Sequence, residues 1–280
     1  MGQCIQKGTM ENLTTRYNSV LSIAGSDSGG CAGIQADIKS ISACGAFAAT
    51  VITATTAQNT QGVFDIHPLP ISHIEKQLDA VLSDIEFGAV KIGMLHSCEV
   101  IRCVADKLEA YKINNIVIDP VMVATSGDKL IDENAIDCLK SFLPKADLVT
   151  PNIPEAELLL GTTINPDNME RSAKELGSQF KTSILLKGGH ITDDSTTILD
   201  VLYNYTSDET ILIKNKKINT NNTHGSGCSL SSSIAAFLSL GHSLNDAVQY
   251  GCDYINNAIK EGANKILGRG NGPLNHFSLK

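Results

Sequence analysis

No apolar run in this 280-residue chain approaches the roughly 20 residues of a membrane-spanning helix, which argues against a helical membrane protein. The balance of charge is acidic, at −8, with no basic stripe, so the broad positive face of a nucleic-acid binder is missing. Tryptophan is absent. There are eight cysteines but no C-x-x-C pair, so neither a disulfide framework nor a zinc site is expected. They read as reduced thiols of a cytoplasmic protein, most of them small core residues. The seven histidines form no ligand-spaced cluster. No linker, repeat or shift in composition marks a boundary, and the reading is one domain over residues 19–280. Residues 1–18 are polar, lack the apolar stretch of a signal peptide and read as a disordered lead-in, with Met10 a second candidate start.

What is present is an alternation. Short apolar or β-branched runs (Val20–Ala24, Ala49–Ala54, Ala89–Ile92, Asn115–Asp119, Leu148–Thr150, Ser183–Lys187) are separated by segments with helical spacing, such as Ile74, Leu78, Val81, Leu82 and Ile85. Near-continuous apolar strands between helices indicate an α/β fold with a central, mostly parallel sheet covered on both faces. Ile198–Tyr203 and Thr210–Ile213 interrupt the rhythm and predict a β-hairpin.

In such sheets ligands bind beyond the carboxyl ends of the strands, and the notable polar residues fall there. The most informative run is Asn222-Thr-His-Gly-Ser-Gly-Cys228, directly before an apolar helical segment. Gly225, Ser226 and Gly227 can turn backbone amides toward one point at a helix start, which suits a phosphate; a plain glycine turn is the alternative. Cys228 is either an inert core thiol or one whose pKa the helix end lowers, able to act as a base. Lys187 ends a strand before two glycines, where it can reach a phosphate. Asn152 and Glu155 share a face at a helix start. They can hold Mg²⁺ through hard oxygens, or simply cap the helix. Gln58 can donate and accept along the edge of an aminopyrimidine, or cap a turn. Gly25 to Gly33 lacks both G-x-G-x-x-G and a Walker lysine; it reads as a flexible loop closing over a substrate, with Asp37 one helical turn inward.

Taken together, the segments Ile23-Ala-Gly-Ser-Asp-Ser-Gly-Gly30, Ala32-Gly-Ile-Gln-Ala-Asp37, Ala57-Gln-Asn-Thr60, Lys91-Ile-Gly-Met94, Ile118-Asp-Pro-Val-Met122, Thr150-Pro-Asn-Ile-Pro-Glu-Ala156, Lys187-Gly-Gly-His190 and Asn222 to Cys228 resemble the hydroxymethylpyrimidine/phosphomethylpyrimidine kinases of thiamine biosynthesis. The resemblance runs from about Val20 to Phe277 and implies a ribokinase-like three-layer α/β/α sandwich. It implies ATP and Mg²⁺ as cofactors, a small pyrimidine as substrate and a homodimer. It further implies that Gln58, Asp37 and the Gly25 backbone bind the pyrimidine between Met94 and Val121. Asp119, Asn152 and Glu155 would organise Mg²⁺ and the ATP phosphates, and Lys187 would neutralise phosphate charge. Gly225, Ser226 and Gly227 would form an anion hole, with Cys228 beside the attacking hydroxyl. Pyridoxal kinase is the nearest rival, because its ring also carries a hydroxymethyl group, and a non-catalytic nucleotide-binding regulator is a remoter one. Cys31 stands where the family usually has glycine, and Arg269 is a candidate phosphate contact.

Overall fold

The computed structural model describes residues 16–122, 134–189 and 196–277. The lead-in before residue 16, Met10 and His190 lie outside the described residues. The chain begins with β1 (Ser19–Asp27), α1 (Gly33–Ala43), β2 (Phe47–Asn59), β3 (Gly62–Pro68), α2 (Ile71–Leu82) and β4 (Ala89–Ile92). It continues through α3 (Cys98–Ala110), β5 (Ile116–Ile118), α4 (Ala135–Phe142), β6 (Leu148–Val149), α5 (Ile153–Leu160) and α6 (Met169–Phe180). β7 (Ser183–Leu186), β8 (Thr197–Asn204), β9 (Glu209–Lys216), α7 (Ser226–Ser239) and α8 (Leu244–Gly262) complete it.

The described strands form one sheet in the order β3-β2-β1-β4-β5-β6-β7-β8-β9. Its centre, β2 through β7, is parallel, as the apolar strands predict. Side chains alternate along each central strand, so the sheet feeds two cores. Leu21, Ile23, Val90, Ile92, Ile116 and Ile118 pack with α2 to α6 on one face. Val20, Ala89, Val117, Leu148 and Leu185 meet α1, α7 and α8 on the other. The predicted hairpin is present as antiparallel β8–β9. A second hairpin, β2–β3, does not follow from the sequence pattern: β3 is nowhere fully buried and carries no apolar alternation to announce it.

One expectation about cysteine fails. Cys98, at the start of α3, is disulfide-bonded to Cys138 in α4. The pair lies 40 residues apart in sequence, so no local spacing signals it. Cys31, Cys44, Cys103, Cys228 and Cys252 are free thiols.

A lysine lies fully buried at the centre of the sheet. The Lys91 ammonium on β4 is 2.9 Å from both carboxylate oxygens of Asp37 on α1, and neither side chain is exposed. Ser22 on β1 donates to the same carboxylate at 2.5 Å, and Ser232 on α7 at 2.8 Å. Burial alone would push the Lys91 ammonium toward neutrality; the charges of Asp37, Cys228 and Asp119 and the hydrogen bond to Asp37 together outweigh that and leave its pKa above the ordinary value. Each buried charge costs several kcal/mol of hydration, so neither is tolerable without the other. The cluster thus ties two strands and two helices together one helical turn from Cys228.

Lys91→Met is expected to cost about 3–5 kcal/mol in denaturant unfolding, because it leaves the Asp37 charge buried and unmatched. Lys91→Met combined with Asp37→Asn should recover a large part of that loss. A single variant as stable as the parent would show that the pair does not hold these elements.

Candidate active site

The carboxyl ends of the parallel strands enclose a cavity of about 350 Å³. Its floor is the first turn of α7. Gly225 precedes that helix with φ +82°, and a Cβ there would stand 1.8 Å from the Cys31 carbonyl oxygen, so only glycine fits. No side chain caps this helix end. Ser226 N–H turns back to the Thr223 carbonyl, while the next amides have no partner within the helix and lie at its positive end. Ser226, Gly227 and Cys228 all line the cavity, as the expected anion hole requires.

Facing that turn is a charged wall. Lys187 Nζ lies 3.0 Å from Asp119 Oδ1, and Thr150 Oγ1 donates to the same oxygen at 3.2 Å. A Cβ on Gly227 would sit 3.3 Å from Lys187 Nζ and 3.6 Å from Asp119 Oδ2, so the missing side chain leaves the wall open to the helix end. Burial depresses the Lys187 ammonium, but the charges of Asp119 and Glu155 prevail and raise it on balance. Asn152 and Glu155 form a reciprocal capping box. Asn152 Oδ1 accepts from Glu155 N–H at 2.9 Å, and Glu155 Oε2 accepts from Asn152 N–H at 2.8 Å. The capping alternative is therefore realised. Both side chains nonetheless line the cavity, where they add oxygen donors next to Asp119. Burial, set against the Lys187 charge, lifts the Glu155 carboxyl to about 7. Asp200, on β8, also reaches the cavity. Burial raises it to about 6 while its carboxylate accepts from Gly188 N–H.

The opposite end is built by β1, β2 and the loop before α7. Gly25, Met94 and Val121 line it as expected, with Gly25 so close to Met94 that a Cβ would meet its methyl at 2.7 Å. Gln58 Nε2 is hydrogen-bonded at 3.1 Å to His224 Nε2, and Thr56 Oγ1 lies 3.1 Å from Gln58 Oε1. Asp27 is buried and accepts backbone N–H from Gly29, Cys31 and Ala32 at 2.7–2.8 Å. Ser28 bonds both ways with the Gln58 backbone. The glycine loop expected to be flexible is thus laced to its own carboxylate and to β2.

Three further expectations change. Asp37 does not reach the cavity; its carboxylate is consumed by Lys91, Ser22 and Ser232 behind the wall, so it positions rather than binds. Cys228 does not have a lowered pKa. Burial pushes the thiol up to about 11, aided by the charges of Asp37 and Asp119, and the nearby Lys91 only partly offsets this. Arg269 is exposed and lines no part of the cavity; its backbone N–H is tied to Thr60. Asp27, His224, Lys91 and Asp200 join the site without being among its predicted residues. Asp27 alone has a signal in the sequence, since a lone carboxylate inside a glycine-rich turn is a natural acceptor for loop amides.

A helix start free of side-chain caps, set against a lysine–aspartate pair at a sheet's carboxyl edge, is the site of an α/β enzyme that handles phosphate groups. The chain belongs to the phosphomethylpyrimidine kinase family, whose model matches residues 27–275. It is 43% identical over 266 residues to a hydroxymethylpyrimidine/phosphomethylpyrimidine kinase of Haemophilus influenzae, covering 94% of this chain and 98% of that one. It is 45% identical to a thiamine biosynthesis bifunctional protein of Geobacter sulfurreducens, of which it spans 52%. Among solved structures, the phosphomethylpyrimidine kinase of Clostridium difficile 630 superposes with TM-score 0.75 at 41% identity, over 86% of this chain and 99% of that one. A Bacillus subtilis pyridoxal kinase in complex with ADP superposes with TM-score 0.86 at 30% identity, over 94% and 99%. The expected ribokinase-like α/β/α architecture is the one found.

Two measurements check the electrostatics. Alkylation of Cys228 should keep accelerating up to about pH 10, because only the thiolate reacts; a plateau already below about pH 8 would contradict the raised value. Glu155, raised from 4.5 to about 7, binds its proton more tightly folded than unfolded. Its charge therefore disfavours folding increasingly as pH rises through that window, to about 3 kcal/mol. Glu155→Gln keeps an acceptor for the cap and should gain stability over the parent between about pH 5 and pH 8, while a constant difference would remove this account.

Proposed function

We propose that the chain transfers the γ-phosphoryl group of ATP to 4-amino-5-hydroxymethyl-2-methylpyrimidine, and then phosphorylates the monophosphate to the pyrophosphate for thiamine diphosphate synthesis. The observation that carries this is the placement of the Gly225–Cys228 helix start directly against Lys187 and Asp119, in one cavity with Gln58. The names of the family and of its relatives support the same reaction.

In this reading Gln58 holds the ring edge and Gly25, Met94 and Val121 flank the ring. The amides at the start of α7 receive charge that builds on the transferring group, aided by Lys187. Asp119, Glu155 and Asn152 offer only oxygen donors, a set that fits Mg²⁺, and Asp119 Oδ2 faces the helix end. The ion would draw negative charge from the ATP phosphates when bound. Cys228, neutral at rest, stands beside the attacking hydroxyl as a positioning thiol rather than a ready base. A loose transition state tolerates this, because the hydroxyl proton need not leave early. Residues 19–280 act as one kinase unit in this reading, and a homodimer follows from family resemblance alone. Pyridoxal phosphorylation is a second reading, favoured by the TM-score of 0.86 with a pyridoxal kinase.

ATP turnover with each ring, with products read by mass, tests the assignment. A pyrimidine monophosphate followed by a pyrophosphate is the expected result; a preference for pyridoxal would move the activity to that vitamer. Cys228→Ala should lower kcat by about 100-fold or more with little change in ATP affinity, and undiminished turnover would end the role given to the thiol.

A further inference from the structure

The rim of the cavity next to Gln58 carries a cluster that phosphoryl transfer does not use. Asp27, Cys31 and His224 each place one ligand atom within 4.8 Å of the others, and all three residues are buried. Ligands about 2.0–2.3 Å from a tetrahedral zinc ion stand roughly 3.3–3.8 Å apart, so the three donors must draw together by about 1 Å or a little more to share one ion.

Two of the groups are individually prepared for it, whereas burial and the Asp27 charge raise the Cys31 thiol, whose proton the metal must displace. The Asp27 carboxylate is fixed in orientation by three backbone amides and keeps a lone pair for a further partner. The His224 ring is 8% exposed; its Nε2 faces Asp27 Oδ2 at 4.0 Å and is hydrogen-bonded to Gln58, a bond that an ion taken there would replace, and its buried Nδ1 has no partner. Burial holds its pKa below the ordinary value, which keeps the ring neutral, the form that ligates. The fully buried Cys31 thiol makes a long 3.7 Å hydrogen bond to the Gly29 carbonyl, and the residue occupies a position where resemblance to the family predicts glycine. A thiol, a carboxylate and an imidazole together form a mixed donor set of borderline softness, which suits Zn²⁺ and its spectroscopic substitute Co²⁺ rather than Mg²⁺.

We propose that Asp27, Cys31 and His224 form a three-ligand site for a zinc-like divalent cation in the wall of the cavity beside Gln58, with the fourth position open toward the cavity. Binding forms a metal–sulfur bond and breaks the Cys31 S–H bond, whose proton passes to solvent; no electron is transferred. The ion sits in the wall that Gln58 belongs to, through its contact with His224, and so obstructs a ring held there. The site is an inhibitory one, separate from the Mg²⁺ donors at the other end.

Co²⁺ titration of the whole protein without ATP tests the site itself. The expected result is a thiolate-to-cobalt charge-transfer band saturating at a single ion, displaced by Zn²⁺ and lost in Cys31→Ala. No band, or a band that survives in Cys31→Ala, overturns the proposal, since a surviving band would come from another thiol. Zinc-edge anomalous scattering from crystals of the unmutated protein tests the same point without a variant: an ion between the three residues supports the site, and an ion elsewhere overturns it. Inhibition rests on the proposed activity and is read separately. Zn²⁺ should raise KM for the pyrimidine by about tenfold or more in the parent and by less than about twofold in Cys31→Ala, whose turnover in metal-free buffer should match the parent. Equal inhibition of both proteins would dismiss the inhibitory role, while the cobalt band would still decide whether the site binds metal.

Discussion

The arrangement of the cavity depends on one buried ion pair. Lys91 and Asp37 lie where water cannot reach, and each makes the other's charge tolerable. Their geometry reaches beyond the pair, because Asp37 also takes hydroxyl bonds from Ser22 on β1 and Ser232 on α7. A carboxylate with so many fixed donors has no freedom to drift. Ser232 follows Cys228 by a single helical turn, so the register of α7, and with it the aim of its first amides, is set against β1 and β4. An apolar core of equal volume would hold these elements together but would specify their relative position less sharply.

Depth of burial, more than proximity of opposite charge, decides how the site is protonated. Cys228 sits at a positive helix end with a lysine nearby, two features that favour a thiolate, yet burial and the flanking Asp37 and Asp119 charges win. Glu155 shows the same ordering: Lys187 pulls its pKa down, and desolvation pulls harder. A site of this kind is poised to change when a polyanion and its counterion enter, because each arrival redraws the local charge. A neutral resting thiol is consistent with catalysis by placement, where fixed amides meet charge as it develops.

Much of this is legible in the residues, and the exceptions have physical causes. Central strands are legible because burial on both faces demands unbroken apolar runs, as in Ala89–Ile92 and Ser183–Leu186. Asp119, Asn152, Glu155 and Lys187 stand out because they end or follow such strands. β3 is hidden because a partly exposed edge hairpin needs no hydrophobic period. The Cys98–Cys138 bond, and the meeting of His224 with the neighbouring Asp27 and Cys31, join positions distant in sequence that only the fold brings together. Asp37 departs from its expected role because spacing places it on a helix without saying which neighbour will claim its charge. The Cys228 thiol departs for a related reason: a helix start is visible in sequence, whereas its depth is not.

The acidic balance of the chain, −8, leaves a question about how it attracts ATP. Among the described residues, the two lysines that line the cavity do not supply an excess of positive charge, since Lys91 is matched by Asp37 and Lys187 by Asp119. Before ligands arrive the ion pairs are close to balanced, and what remains positive is the set of unpaired amides at the start of α7. Those dipoles are short-ranged and suit a single phosphoryl group rather than a triphosphate tail. Asp119, Glu155 and Asn152 add oxygen atoms to the same cavity, donors of the kind that hard divalent cations take. With both lysines paired to carboxylates, the described residues offer a phosphate chain the amides of α7 and little net positive charge beyond them.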